Sequence, residues 1–458
     1  MQNEKFLIKG LGGKKVLNGE IKINGAKNAG LKAIAGTFLF KDEVVLNNIP
    51  DTEDIKKLCK LLELSGAEIK KVKNGNIKIS TKNVKNYELD GDTAKSMRAS
   101  AVVTGPMLAR YGKVIFPAPG GCVIGERPID LLLNGYEKMG AKIELKNDKY
   151  IITASGGKLK GAEIFFNVQT VGGTETLMMA GVLAKGKTIL RNCAMEPEIV
   201  NLAEYLVSCG AKIKGIGTTT MEIIGGGLLS SKGKVYKTIP DRIEAGSYLI
   251  LGALCANNLR INKCEPKHLE SLTNLLTESG VALEIGKDFI QIKNNGKIPN
   301  NKFRSFNIRT HEYPGFPTDL QAPIGVFLTQ TTGEGIIFET IYEGRFKYAE
   351  ELLKLGAEIT IMNPREVLIK GGAPFKALCN VGDNNEIDSE NNSCESCEEL
   401  EAHDIRAGFA TVIGALLAEG DSIIKGIRFI DRGYEKLEER LNSLGADIKR
   451  IHSLSSII

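Results

Sequence analysis

No apolar run in this 458-residue sequence approaches the roughly 18 uninterrupted residues that a membrane-spanning helix needs. The opening MQNEKFLIKGLGGKK also lacks the apolar core of a secretory signal. The chain is therefore expected to be cytoplasmic, with no membrane partner. A strong charge of either sign is missing as well. Sixty Lys and Arg against fifty-five Asp and Glu leave a net charge of +5. The pI near 8.5 falls below the value of about 9 that marks a nucleic-acid footprint. No nucleic-acid partner is expected, and any bound anion must meet a local basic cluster. A disulfide framework is absent too, because nine Cys, an odd number scattered from Cys59 to Cys397, do not form one in a chain of this size.

What is present is an ordinary globular composition, 42% hydrophobic and 25% charged, in a chain long enough for about two to four domains. Glycine is in excess, 51 residues or about 11% against a usual ~7%, so many short elements and turns are expected. The glycines also mark an internal repeat. LLELSGAEIK, YEKMGAKIEL, YLVSCGAKIK, LLTESGVALEI, LLKLGAEITI and LNSLGADIKR place Gly66, Gly140, Gly210, Gly280, Gly356 and Gly445 at a period of roughly 70 residues. Each copy reads as an amphipathic helix stopped by a left-handed glycine and followed by an alternating strand. Each is preceded by a helix of small and apolar residues, such as KNAGLKAIAGTFLF, RASAVVTGPMLARYG or RAGFATVIGALLAEG. An apolar helix belongs inside, and the amphipathic one covers it. The pattern is thus six sheet-and-helix blocks whose innermost helices form the core.

Several stretches could carry chemistry. GVLAKGKT matches a phosphate-binding P-loop in letters, but that loop needs a strand before it and a helix after it, and the repeat puts them in the reverse order. PAPGGCVIGERP holds Cys122 on a Pro- and Gly-rich loop beside Arg127, where a cation favours the reactive thiolate. Lys27 and Asn28 stand at the start of an inner helix, as an anion site or simply as solvated side chains. Arg98, Arg127, Arg345, Arg406 and Arg432 recur at related places in their blocks. Asp319, between Pro317 and Pro323, reads either as the N-cap of the following helix or as a general base. The acidic insertion near residues 380–399 contains the pair Cys394 and Cys397, with no second CxxC or spaced His pair nearby, so no metal site is expected.

INGAKNA, KSMRAS, PGGCVIGERPID, EPEIV, PDRIEAG, FPTDLQAP, ETIYEGRF, HDIRAG and IDRGYEKLEERL, in this order along nearly the whole chain, resemble the UDP-N-acetylglucosamine enolpyruvyltransferases. The related shikimate-pathway enolpyruvyltransferases share the six-block fold but lack the Cys loop. The resemblance implies an α/β (α+β) fold of two inside-out α/β barrel domains with three repeats each. Residues 25–236 would form one, and residues 1–24 with 237–458 the other, with the active site in the cleft between them. It also implies transfer of the enolpyruvyl group of phosphoenolpyruvate to the 3-hydroxyl of UDP-N-acetylglucosamine, through addition and then elimination of phosphate, by a monomer needing no cofactor.

By the same resemblance Cys122 is the general acid and Asp319 the base, with Lys27 and Arg432 also catalytic. Lys27, Asn28, Arg127, Arg406 and Arg432 would hold phosphoenolpyruvate. Arg98, the run Arg127, Pro128, Ile129, Asp130 and Leu131, the segment Val168, Gln169, Thr170 and Val171, together with Asp319 and Ile341, would hold the nucleotide sugar. Some relatives carry Lys where Val168 stands, so one diphosphate contact is expected to be missing. The competing expectations are a shikimate-type transferase and a non-catalytic nucleotide-sugar sensor on the same scaffold.

Overall fold

All six punctuating glycines have positive φ, +102° at Gly66, +83° at Gly140, +109° at Gly210, +107° at Gly280, +99° at Gly356 and +101° at Gly445. This is backbone that a side chain resists and glycine does not. Each glycine N–H bonds the carbonyl three residues back, and after five of them the next N–H reaches five residues back, as Ala67 does to Leu62 at 3.0 Å and Ala211 to Leu206 at 3.0 Å. That pairing satisfies the last carbonyls of a helix and turns the chain into the next strand. The helices so ended include Glu53–Leu64, Pro197–Ser208 and Glu270–Ser279.

The computed structural model describes residues 4–72, 76–118, 129–293, 302–378 and 398–452, for Arg98 the backbone only. Among the described residues there are six sheets, five of four strands and one of three. The four-stranded sheets follow one recipe, one parallel pairing at an edge and then two antiparallel pairings. Glu163–Phe165, for example, runs parallel to Lys187–Arg191, which is antiparallel to Thr220–Ile224 and through it to Lys212–Lys214. In the three-stranded sheet the parallel edge shrinks to a bridge between Glu88 and Ile115. In three of these sheets the parallel strands are consecutive and joined through one inner helix, as such a crossover requires: Glu163–Phe165 to Lys187–Arg191, Ile308–Arg309 to Glu334–Phe338, and Leu400–Glu401 to Asp421–Lys425.

The inner helices are apolar all round and correspondingly buried. Every residue from Ile243 to Cys255 is buried in Arg242–Cys255, and every residue of Gln321–Thr329 in its helix. One expectation needs correcting. RASAVVTGPMLARYG is not a single helix but a 3-10 stretch, Arg98–Val103, followed by an α-helix, Thr104–Tyr111. Pro106 explains the break, since its ring lacks an N–H and would clash with the carbonyl four residues earlier, while the first turn of a new helix tolerates it. GVLAKGKT runs from the helix Val171–Leu183 through Gly186 into the strand Lys187–Arg191. It is a helix-to-strand turn and not a P-loop.

The described residues divide into two compact units, one between Asn24 and Ile239, the other joining residues up to Ile23 with those from Pro240 onward. Each has its own core. Two strands complete sheets far from their sequence neighbours. Leu17–Lys22 lies parallel to Ala256–Asn262, and Val235–Lys237 parallel to Val44–Asn47. The strand Glu4–Lys9 sits between Asp421–Lys425 and Asp447–His452, antiparallel to both. The block that begins near residue 400 is thus finished by the first strand of the chain.

Candidate functional site

In the unit around residues 24–239, Lys27 opens the helix Lys27–Gly36. It is not solvated. The residue is 7% exposed, and its Nζ lies 3.2 Å from Asp54 Oδ2 on the neighbouring helix. The entry to this helix is set by Gly25, where a Cβ would stand 1.8 Å from the Asn48 carbonyl oxygen. Asn28 is half-buried beside it. One turn further on, Lys32 Nζ meets Glu175 Oε2 at 3.2 Å. Burial, more than any other influence, lifts the Glu175 carboxyl from 4.5 to about 7. Lys32 pulls it down, and Glu198 and Glu196 push it up.

The segment expected to hold the nucleotide sugar precedes the helix Val171–Leu183. Thr170 is that helix's N-cap and accepts the Gly173 N–H at 3.2 Å. Gln169 donates to the Cys193 carbonyl at 3.2 Å, and Val168 is 61% exposed. Ile129, Asp130 and Leu131 lead into the helix Asp130–Lys138, with Asp130 in its first turn, where a carboxylate suits the helix dipole. Arg98 starts the 3-10 stretch. Cys122, Arg127 and Pro128 lie outside the described residues, as does the pair Cys394 and Cys397.

The other unit gathers Asp319, Arg345 and Arg406. Asp319 stands in a 3-10 turn, Thr318–Leu320, and the following helix has no side-chain cap, so the capping alternative fails. Its carboxylate is instead held between two arginines. Arg345 Nη2 donates to Oδ1 at 2.7 Å, and Arg406 Nη2 to Oδ2 at 3.2 Å. Both guanidiniums are buried, with side chains 4% exposed against 29% for Asp319. Burial alone would favour losing the Arg345 charge, but the carboxylates of Asp319, Asp404 and Glu339 outweigh it and raise its pKa. For Arg406 the same contest with burial is won by Tyr434, Asp319 and Asp241. Among the described residues Arg345 Nε and Arg406 Nη1 meet no acceptor.

Arg406 is placed by its helix, Ile405–Leu417, whose cap Asp404 accepts the N–H groups of Arg406 at 2.8 Å and Ala407 at 3.0 Å. Asp241 caps the helix Arg242–Cys255 in the same way. Arg432 follows the short helix Arg428–Asp431. Asp431 pairs with Arg450 through both oxygens, at 2.9 and 3.0 Å, and Arg450 also reaches Glu4 at 3.0 Å and Glu438 at 2.6 Å. On the other side a Cβ at Gly433 would come within 2.4 Å of Ile405, so the Arg432 segment lies directly on the start of the Arg406 helix. Tyr434 stacks on Phe409 with ring centroids 4.5 Å apart. The Ile341 N–H is donated within the protein, to Glu339 Oε1 at 2.8 Å.

Sequence reading marked Arg345 only as a recurring cation, expected Asp404 to lie close to the site with Arg406 but gave it no role, and did not single out Asp54. Asp404, two residues before Arg406 at the start of an apolar helix, carried a capping signal that could have found it. Asp54 carried none, because only folding brings it to Lys27.

A family model described as EPSP synthase (3-phosphoshikimate 1-carboxyvinyltransferase) matches residues 11–441. The UDP-N-acetylglucosamine 1-carboxyvinyltransferase of Wolinella succinogenes is 42% identical over 439 residues, 96% of this chain and 98% of that protein. Among solved structures, the enolpyruvyl transferase NikO from Streptomyces tendae superposes with a TM-score of 0.83 at 21% identity, covering 99% of this chain and 100% of that one. The EPSP synthase of Acinetobacter baumannii gives 0.67 at 17% identity over 98% and 100%. The likeness to these two structures fixes the two-domain α/β fold. Identity of 42% along almost the whole length places the chain more narrowly: it belongs to the UDP-N-acetylglucosamine 1-carboxyvinyltransferase family of enolpyruvyl transferases.

Proposed function

We propose that this protein transfers the enolpyruvyl group of phosphoenolpyruvate to the 3-hydroxyl of UDP-N-acetylglucosamine, releasing phosphate, as the first committed step of peptidoglycan synthesis. The observation that carries the chemistry is the Asp319 carboxylate fixed between the buried guanidiniums of Arg345 and Arg406. A nucleophilic hydroxyl needs an acceptor for its proton, and a substrate with one carboxylate and one phosphate needs cations around it. The choice of acceptor substrate follows the names of the relatives.

In this reading the sugar oxygen bonds to C2 of phosphoenolpyruvate while Asp319 takes the hydroxyl proton and Cys122 delivers a proton to C3. The resulting tetrahedral intermediate then loses a proton from C3 and its phosphate from C2, restoring the double bond. Lys27, Asn28, Arg127, Arg406 and Arg432 neutralise the phosphate and carboxylate. Arg98, the 127–131 run, the 168–171 segment and Ile341 seat the nucleotide sugar. The roles of Cys122, Arg127 and Pro128 rest on the sequence motif alone.

The test is phosphate release by the purified protein with phosphoenolpyruvate and UDP-N-acetylglucosamine, product mass being read in parallel. Phosphate released mole for mole with an enolpyruvyl-bearing nucleotide sugar is the expected result. Release with shikimate 3-phosphate in place of the nucleotide sugar would refute the reading, and so would nucleotide-sugar binding without turnover, which marks a sensor.

A further inference from the structure

Glu339 follows the strand Glu334–Phe338 and is fully buried. Its Oε1 accepts the Thr310 hydroxyl at 3.0 Å and the N–H groups of Ile341 at 2.8 Å and Tyr342 at 3.1 Å. Its Oε2 accepts the Thr318 hydroxyl at 2.8 Å. Thr318 in turn accepts Arg345 Nη1 at 2.7 Å, and the other terminal nitrogen of that guanidinium holds Asp319. One carboxylate therefore starts two lines of hydrogen bonds, one to the backbone of Ile341 and one through Thr318 and Arg345 to Asp319. A carboxylate in the interior is costly unless its lone pairs are satisfied. Four donors satisfy this one, so it cannot shift for one line without disturbing the other.

We infer that Glu339 is a positioning residue that sets the Asp319 carboxylate and the Ile341 backbone together, making the proton acceptor and the seat of the nucleotide sugar one mechanical unit. The inference rests on the function proposed above. A carboxylate that served only to fill the core would affect stability and leave both kinetic parameters alone.

Steady-state kinetics on four variants, each with a thermal melt, separate these outcomes. Glu339→Gln keeps the shape and one acceptor oxygen. It is expected to lower kcat by about tenfold or more and to raise KM for UDP-N-acetylglucosamine by about threefold. Thr318→Val cuts the line to Asp319 while three donors still hold Glu339, so it should lower kcat by a larger factor than it raises that KM, while Thr318→Ser keeps the hydroxyl and should hold kcat within about threefold of the parent. Because both changes break the same line, Glu339→Gln combined with Thr318→Val should have a kcat no lower than the lower of the two single variants. A Glu339→Gln protein with a lowered Tm but unchanged kcat and KM overturns the inference, as do kcat effects that multiply in the double variant. If the Gln variant fails to fold, Thr318→Val and Thr318→Ser still decide, since equal turnover in the two also overturns it. A parent that releases no phosphate sinks the functional reading and this inference with it, whereas an active parent with unaffected variants sinks the inference alone.

Discussion

Two alternatives for Asp319 were open from its neighbours in sequence, a helix cap and a general base, and they predict different behaviour for an Asn variant. An Asn caps a helix about as well as Asp, so a cap would make Asp319→Asn harmless. The carboxylate instead touches two guanidiniums that are themselves almost inaccessible. Removing its charge leaves those cations facing each other. The cost of breaking a fully buried pair is roughly 3–5 kcal/mol, and less is expected for a partly exposed partner such as this one. Asp319→Asn should therefore melt several degrees lower than the parent, and should also form product 10² to 10⁴ times more slowly, the usual effect of lost acid–base catalysis. Single-turnover product formation, with nucleotide-sugar affinity checked by calorimetry, measures the second effect. A variant that stays within about threefold of the parent would show that the carboxylate organises arginines and moves no proton.

At the scale of elements, inner helices packed side by side put polar groups where water does not reach. Lys27–Gly36 and Val171–Leu183 share the pair Lys32 and Glu175, with Glu175 completely buried. Its carboxyl is raised from 4.5 to about 7, chiefly by burial. Between those values the folded protein holds a proton that the unfolded chain has lost, so the stability contributed by this group is greatest at low pH. It declines as pH rises from about 4.5 and levels off above about 7. Thermal melts at about pH 5 and about pH 8 should thus show a loss in the parent that is diminished in Glu175→Gln. Equal slopes in the two proteins would mean that Lys32 keeps the carboxylate ionised throughout. The helix stops, by contrast, depend on local chemistry alone, and all six glycines do what their position after an amphipathic run implies.

For the whole molecule the notable feature is how the chain closes on itself. Phe6 and Ile8 are fully buried, and their strand is the middle partner of two antiparallel ladders. Removing residues 1–10 would open both ladders and empty two large apolar sites, each worth about 2–5 kcal/mol. The truncated protein is expected to be insoluble or to melt more than about 10 °C below the parent. Differential scanning calorimetry decides, and a truncated chain melting within about 3 °C of the parent would show that the last block is complete without this strand.

The number of blocks, the inner and covering helices and the glycine stops were legible in the sequence because each depends on residues close together in the chain. Periodicity of 3.6 or 2 and a need for left-handed backbone are local properties. The motifs likewise pointed to Lys27, Asp319 and Arg406 as residues worth watching. What they touch was not legible. The Asp54 partner of Lys27, the double guanidinium clamp on Asp319, the Arg450 brace behind Asp431 and the strand that the sixth block takes from the start of the chain all join residues tens to hundreds of positions apart. Short-range patterns fix which face of an element is apolar, but they carry no information about which polar side chain from another block will meet it. Only the packing of the sheets and helices decided that Asp319 accepts from arginines and does not cap its own helix.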